Sequence, residues 1–221
     1  MMGCAQVNRS RAVRVLSGHL LPVLAGALLA LRPAIGGTQE FTADVIYAAV
    51  AGMPANTVPS SPAKLFVSGD KMRLDFAGVA GQTLIVDDQR GETLLLMRAR
   101  RTYQQLGSRP SEYFRVADAE HACPDWEQAV GLSIRCESVG REGVDGRLAV
   151  KYQRTRINGT RDYVWIDPKL KYVIKWRAGD TEAELRNVKE GAQLADWFEI
   201  PEGYEQARPL KSQSSTAPRA Q

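Results

Sequence analysis

From Phe41 to Glu190 the chain is a succession of short segments in which apolar and polar residues alternate, punctuated by glycine- and aspartate-rich breaks. A period of two places successive side chains on opposite sides of a strand, so each segment predicts a strand with one buried face. "FTADVIYAAV" sets Phe41, Val45 and Tyr47 on one side. "AKLFVSGDKMRLDF" predicts a hairpin around Ser68-Gly69-Asp70, with Leu65 and Val67 sharing a face before the turn and Met72, Leu74 and Phe76 sharing one after it. "QTLIVDDQRGETLLLM" repeats the form with Asp87–Gly91 as its turn, and "RRTYQQL" predicts a shorter strand. After an interruption the pattern resumes in "LSIRCESVGRE", "GRLAVKYQRTRI", "TRDYVWID", "KYVIKWRA" and "TEAELRNVKE", with Asn158-Gly159 read as a turn.

The interruption, "PSEYFRVADAEHACPDWEQAV", has few β-branched residues and many helix formers, and Pro124 divides it. It predicts one or two short helices. Eight to ten antiparallel strands with one helical insertion give an α+β class: a curved antiparallel sheet, in effect an unclosed barrel, with short helices over its concave face.

The first 36 residues stand apart. Arg9, Arg11 and Arg14 precede the apolar run Val15–Leu31, and "AIGG" supplies small residues near Gly36. That order predicts an export signal cleaved near Gly36 and a soluble periplasmic product. The alternative is a membrane anchor, but a spanning helix wants about 20 apolar residues and this run contains Ser17, Gly18, His19 and Pro22. Residues 37–207 are then the folded domain, and the polar residues 208–221 a disordered tail. Removing four arginines from the 29 basic residues leaves 25, which match the 25 acidic ones. The basic excess therefore belongs to the leader, and a nucleic-acid partner is not expected.

Catalytic patterns are scarce. His121 alone remains beyond the leader, so a triad has one available base, and no GxSxG, HExxH, CxxC or phosphate loop occurs. Two SxxK matches, Ser61 to Lys64 and Ser68 to Lys71, fall in a proline-rich loop and a hairpin turn without the accompanying SDN and KTG elements. Neither an enzyme activity nor a cofactor is expected. Cys123 and Cys136 in an exported chain predict a disulfide closing a loop of about 14 residues. With His121 and its acidic neighbours, a zinc site is the less favoured use of the pair. Arg98 and Arg100 are predicted to share a strand face. They are either a solvated, edge-protecting pair or contacts for an anionic head group.

"VWIDPKLKYVIKW", then "LRNVKEG" and "WFEIPEGYEQ", resembles the LolA/LolB-like superfamily of periplasmic lipoprotein carriers. The matching elements are Trp165-Ile166-Asp167-Pro168, Ile174-Lys175, Asn187-Val188, and Phe198 with Pro201-Glu202-Gly203-Tyr204. "SGDKMRLDF" and "VDDQRGETLLLMRARRTYQQL" are similar to the uncharacterised relatives of those carriers. The resemblance spans roughly residues 40–206. It implies an unclosed barrel that holds a lipid or an acylated partner against an apolar concave face, and transient contact with a membrane. Phe41, Tyr47, Phe66, Leu74, Trp165 and Trp176 are the candidate lining. The alternative is an envelope sensor or interaction module with a filled core, meeting other envelope proteins at its edges.

Overall fold

The computed structural model describes residues 39–49, 61–77, 81–107, 112–131 and 133–207. The expected export signal and C-terminal tail lie outside the described residues. The sheet has two meanders. The first comprises β1 (Glu40–Ala49), β2 (Ala63–Ser68), β3 (Lys71–Phe76), β4 (Gln82–Asp87), β5 (Glu92–Met97) and β6 (Thr102–Leu106). The second comprises β7 (Arg135–Val144), β8 (Arg147–Thr155), β9 (Arg161–Asp167), β10 (Tyr172–Ala178) and β11 (Thr181–Glu190). β1 pairs antiparallel with β11 and fuses them into one curved, unclosed sheet. A two-residue strand, β12 (Glu205–Gln206), lies parallel against β6 and makes the order 12-6-5-4-3-2-1-11-10-9-8-7.

Alternation decides which residues meet across the strands. Phe41 stands opposite Val67, Val67 opposite Met72, and Met72 opposite Val86, forming one apolar row across four strands. Ala43, Leu65, Leu74 and Leu84 make the next row on the same face. Val150, Tyr152, Val164, Ile166, Val173 and Trp176 continue this inner face through the second meander, and all are buried. Burial on this scale, at roughly 25 cal/mol per Å² of apolar surface, is the main drive to fold.

The expected set of helices over the inner face is not found. Among the described residues there is one α-helix, α1 (Cys123–Val130), started by Pro124 in its first turn and ended by Gly131 at φ 98°. The rest of the cover, residues 112–122, is irregular chain that behaves as an extra strand. Arg115 bridges to Tyr172, with Val116 N donating to Lys171 O at 2.9 Å and Val173 N to Phe114 O at 3.2 Å. Tyr113, Phe114, Val116, Ala119, Ala122 and Trp126 are buried against the sheet. Helix-forming composition is outweighed here because the sheet satisfies the segment's backbone groups and the apolar side chains gain a floor.

The opposite face has its own small core. Ile85, Leu94, Leu96 and Phe198 cluster there, with Phe66, Tyr103, Ile200 and Tyr204 packed against them. The C-terminal segment makes this cover: a short 3-10 turn, Ala195–Phe198, sets Trp197 edge-on to Phe66 with ring centroids 4.8 Å apart, and Arg73 Nη1 donates to Trp197 O at 2.8 Å. The predicted strand through Arg98 and Arg100 is instead a 3-10 turn, Arg98–Arg100, closed by Arg101 in the left-handed region at φ 49°.

Candidate functional site

Asp167 shows how local sequence builds the site's supporting hairpin. Its Oδ1 accepts from the backbone N–H of Lys169 at 2.7 Å and of Leu170 at 3.1 Å, while Pro168 fixes the intervening backbone. Its Oδ2 takes an ion pair from Arg147 at 2.5 Å. The turn so held delivers Tyr172 into the core, where it meets Phe41 edge-on at 5.2 Å between centroids. Burial pushes the Tyr172 phenol far above its ordinary value.

A cleft of about 340 Å³ lies between the cover and the ends of the β2–β3 and β4–β5 hairpins. Its floor is part of the first apolar row, Val67, Met72 and Val86, with Tyr172 beside it; Tyr113, Phe114 and Ala129 come from the cover. The size sits at the small end of the range for ligand pockets, about 300–1,000 Å³. Asp70, Asp88, Arg115, Asp125 and Gln128 also line it and make its polar part.

The turns at the cleft are tied together. Asp88 N donates to Asp70 O at 3.0 Å, and Arg115 Nη1 holds Asp70 Oδ1 at 3.0 Å. Asp125 Oδ2 accepts the Ala117 N–H at 2.8 Å, fixing the start of α1 on the cover. Partial desolvation, with the nearby Asp70 and Asp87 charges, raises the Asp88 carboxyl above its usual value. Lys71, whose residue also borders the cleft, sends its ammonium to Glu199 at 3.0 Å and Asp87 at 3.8 Å.

Three links anchor the cover to the second meander. Cys123 and Cys136 form a disulfide with Cα atoms 5.8 Å apart, joining α1 to the edge strand β7. Tyr152 donates to Ala119 O and accepts from Ala122 N. Arg154, 5.2 Å above the Trp126 ring, reaches Gly131 O at 3.3 Å and pairs with the buried Asp162 at 2.9 Å.

None of the six residues named from sequence as lining borders this cleft. Phe41 is fully buried beneath Tyr172, and Leu74 lies in the second apolar row. Tyr47 and Trp176 pack on one another at 6.5 Å. Phe66 belongs to the opposite face with Trp197. Trp165 is on that face too: it stands between Lys151 and Lys175, whose Nζ atoms lie 4.8 and 5.0 Å from its ring centroid, and its Nε1 donates to Glu142 at 2.7 Å. Arg98 gives its Nε to Gly81 O at 2.9 Å and, with Arg100, lies at the far end of β5 from the cleft. The cleft residues missed from sequence include Val67 and Met72, read only as sharing a strand face with Leu65 and with Leu74; Val86; and Tyr113, Phe114 and Tyr172, whose placement depends on the cover. Among the described residues no group of three or more His, Cys, Asp or Glu side chains is arranged to hold a metal ion, and no helix is long and apolar enough to cross a membrane.

No protein-family model matches the chain, and no curated protein matches it. Among solved structures it is similar to an uncharacterized conserved protein from Thermus thermophilus, at 9% identity and a TM-score of 0.50 over 78% of this chain and 91% of that one. That likeness shows the fold. Looser similarities include MucB from the Pseudomonas aeruginosa MucA/MucB complex, at 15% identity and a TM-score of 0.45 over 75% of this chain and 56% of that one. The Mycobacterium tuberculosis lipoprotein LppX has 14% identity and a TM-score of 0.34, covering 71% and 86%.

Proposed function

We propose that this protein is a non-enzymatic binding protein of the periplasm that holds an apolar chain, from a lipid or an acylated partner, in the cleft beneath residues 113–129. The observation that carries the reading is the cleft of about 340 Å³ itself, walled by Val67, Met72 and Val86 of the sheet and by Tyr113 and Phe114 of the cover. A concave site with an apolar wall and a few polar groups at its rim is the kind of cavity that takes a small ligand. The Cys123–Cys136 disulfide supports an oxidising compartment and with it the export signal of residues 1–36.

A second reading has its own support. Tyr113, Phe114, Val116, Ala119, Ala122 and Trp126 fill much of the inner face, as an interaction module with a self-filled core would require. A cavity-filling variant separates the two. Ala129→Phe places a ring in the cleft from an otherwise retained helix. With an apolar fluorescent probe and native mass spectrometry of protein from the periplasm, the binding reading expects a bound apolar molecule in the natural protein and none in the variant, at an unchanged melting temperature. A clean apo mass and no probe binding would leave the interaction module.

A further inference from the structure

Asn158-Gly159, read from sequence as a turn, is the one Asn-Gly pair in the chain, and it stands at the tip of the β8–β9 hairpin. Gly159 N donates to Arg156 O at 2.9 Å and Arg156 N to Thr160 O at 2.8 Å, so Ile157, Asn158 and Gly159 form a three-residue loop. Gly159 closes it in the left-handed conformation, at φ 82°. The Asn158 side chain is turned forward along the chain. Its Oδ1 accepts the Thr160 N–H at 3.1 Å and the Thr160 hydroxyl at 2.7 Å. Residues 157–160 are all exposed to water. Beyond its chain neighbours, no described atom lies within 4 Å of where a Cβ on Gly159 would stand. The loop therefore sets a carbonyl held by two donors next to an amide nitrogen that no side chain of its own residue shields.

We infer that Asn158 is a site of self-modification, where the Gly159 nitrogen closes on the Asn158 side-chain carbonyl while Thr160 holds the carbonyl oxygen. Hydroxide first removes the Gly159 amide proton. The nitrogen then attacks Cγ of Asn158, and the N–Cγ bond forms as the C=O electron pair moves onto Oδ1. Charge developing there is received by the Thr160 N–H and hydroxyl, which already point at that atom. The intermediate collapses by breaking the Cγ–Nδ2 bond. Nδ2 takes a proton from water and leaves as ammonia, and a five-membered cyclic imide remains. Water opens the ring at the side-chain carbonyl to give aspartate, or at the backbone carbonyl of residue 158 to give isoaspartate. The sum is one water consumed and one ammonia released, with no oxidant or reductant. The Gly159 bond to Arg156 O opposes attack and has to open first. Asn187 supplies an internal comparison, since it too is exposed, with φ 54°. Its successor is the β-branched Val188, which crowds the attacking nitrogen, and its Nδ2 donates to Asp44 Oδ2 at 2.8 Å. Either product at 158 sets a new carboxylate two residues from Arg156, whose guanidinium holds the buried Asp162.

The test follows the folded protein at 37 °C and pH 8 over weeks, with trypsin digestion and mass spectrometry of each sample. Cleavage after Arg156 and Arg161 isolates residues 157–161. That peptide is expected to gain one mass unit and to split into two products, isoaspartate in excess, while the peptide carrying Asn187 keeps its amide. Between pH 7 and pH 8 the rate should rise in proportion to hydroxide. Thr160→Val keeps the shape of an exposed side chain and removes one donor. It should slow the reaction about fivefold, a small loss beside that from an oxyanion donor in a closed active site, because water also reaches Oδ1. Thr160→Ser should restore the natural rate, and circular dichroism of each variant checks that the sheet is retained. Three results would each overturn the inference. Asn158 could persist as long as Asn187. Aspartate could form without isoaspartate, which is direct hydrolysis and needs no ring. Thr160→Val could react at the natural rate, which removes Thr160 from the step.

Discussion

The Tyr152 hydroxyl donates to the Ala119 carbonyl at 2.9 Å, a buried hydrogen bond between the sheet and the chain laid over it. The same oxygen accepts from Ala122 N at 3.3 Å, so one phenol satisfies two backbone groups of the cover. Tyr152→Phe keeps the ring and leaves both groups without that partner. The expected loss is about 1–2 kcal/mol, as for buried polar groups deprived of their bond. Urea denaturation should show a lower midpoint with an unchanged slope.

Reduction of the Cys123–Cys136 bond should lower stability by roughly 3 kcal/mol, because it frees a loop of about 14 residues in the unfolded chain. Thermal melts with and without dithiothreitol measure the shift. Cys136→Ser should reproduce it and then show no further response to the reductant.

Asp162 is buried between Arg154 and Arg156, with side-chain exposures of 3% for Asp162 and 8% for Arg154. Asp162→Ala strands the Arg154 guanidinium above Trp126, and breaking a buried pair from one side costs about 3–5 kcal/mol. A double variant, Arg154→Met with Asp162→Ala, should recover part of the loss in the same denaturation assay.

Alkaline pH probes the far end of the inner face. Burial pushes the Tyr47 phenol up to about 12 and the Tyr113 phenol well above its ordinary value of 10.0. A group with a raised folded pKa contributes stability that is complete below its unfolded value. The melting temperature should therefore hold to about pH 10 and fall between pH 10 and 12, as the unfolded chain releases these protons first. Tyrosinate absorbance near 295 nm should rise together with unfolding rather than ahead of it.

Trp165→Phe should leave probe binding in the cleft unchanged while lowering stability by about 1 kcal/mol. It removes the Glu142 hydrogen bond and weakens the stack between Lys151 and Lys175. Binding titrations beside melting curves check both halves. A weakened probe with an intact fold would connect this face to the cleft.

Trp165 also shows where sequence reading fails. In a strand with one wet face, alternation tells inward from outward, and it did so for Leu65, Val67, Met72 and Leu74. From Val164 to Asp167 every residue is buried, because the cations and carboxylates above Trp165 cover its face too. Alternation in apolarity is then lost, and an indole gives no hint of its side. The cover failed for another reason: its backbone partner is Tyr172, a residue more than 50 positions away, so no local pattern could distinguish a bridge from a helix. Arg98 and Arg100 were assigned to a strand because nothing in "RARR" announces a left-handed Arg101. β12 is two residues long and too short to carry a period. The disulfide, by contrast, was legible from the spacing of the two cysteines and the export signal expected from the sequence.

The fusion of the two meanders orders events in time. β1 has β2 as one neighbour soon after both leave the ribosome, but its other neighbour is β11, where Phe41 faces Glu190 and Ala49 faces Thr181. Almost the whole chain must be delivered before that seam can close. Until then the first meander exposes an unpaired edge along its first strand, and the loop to be closed is nearly as long as the domain. A chain crossing a membrane N-terminus first would present this incomplete sheet to the far side while its second half was still in transit. The seam between β1 and β11 is thus the step at which a helper that shields strand edges has most to protect.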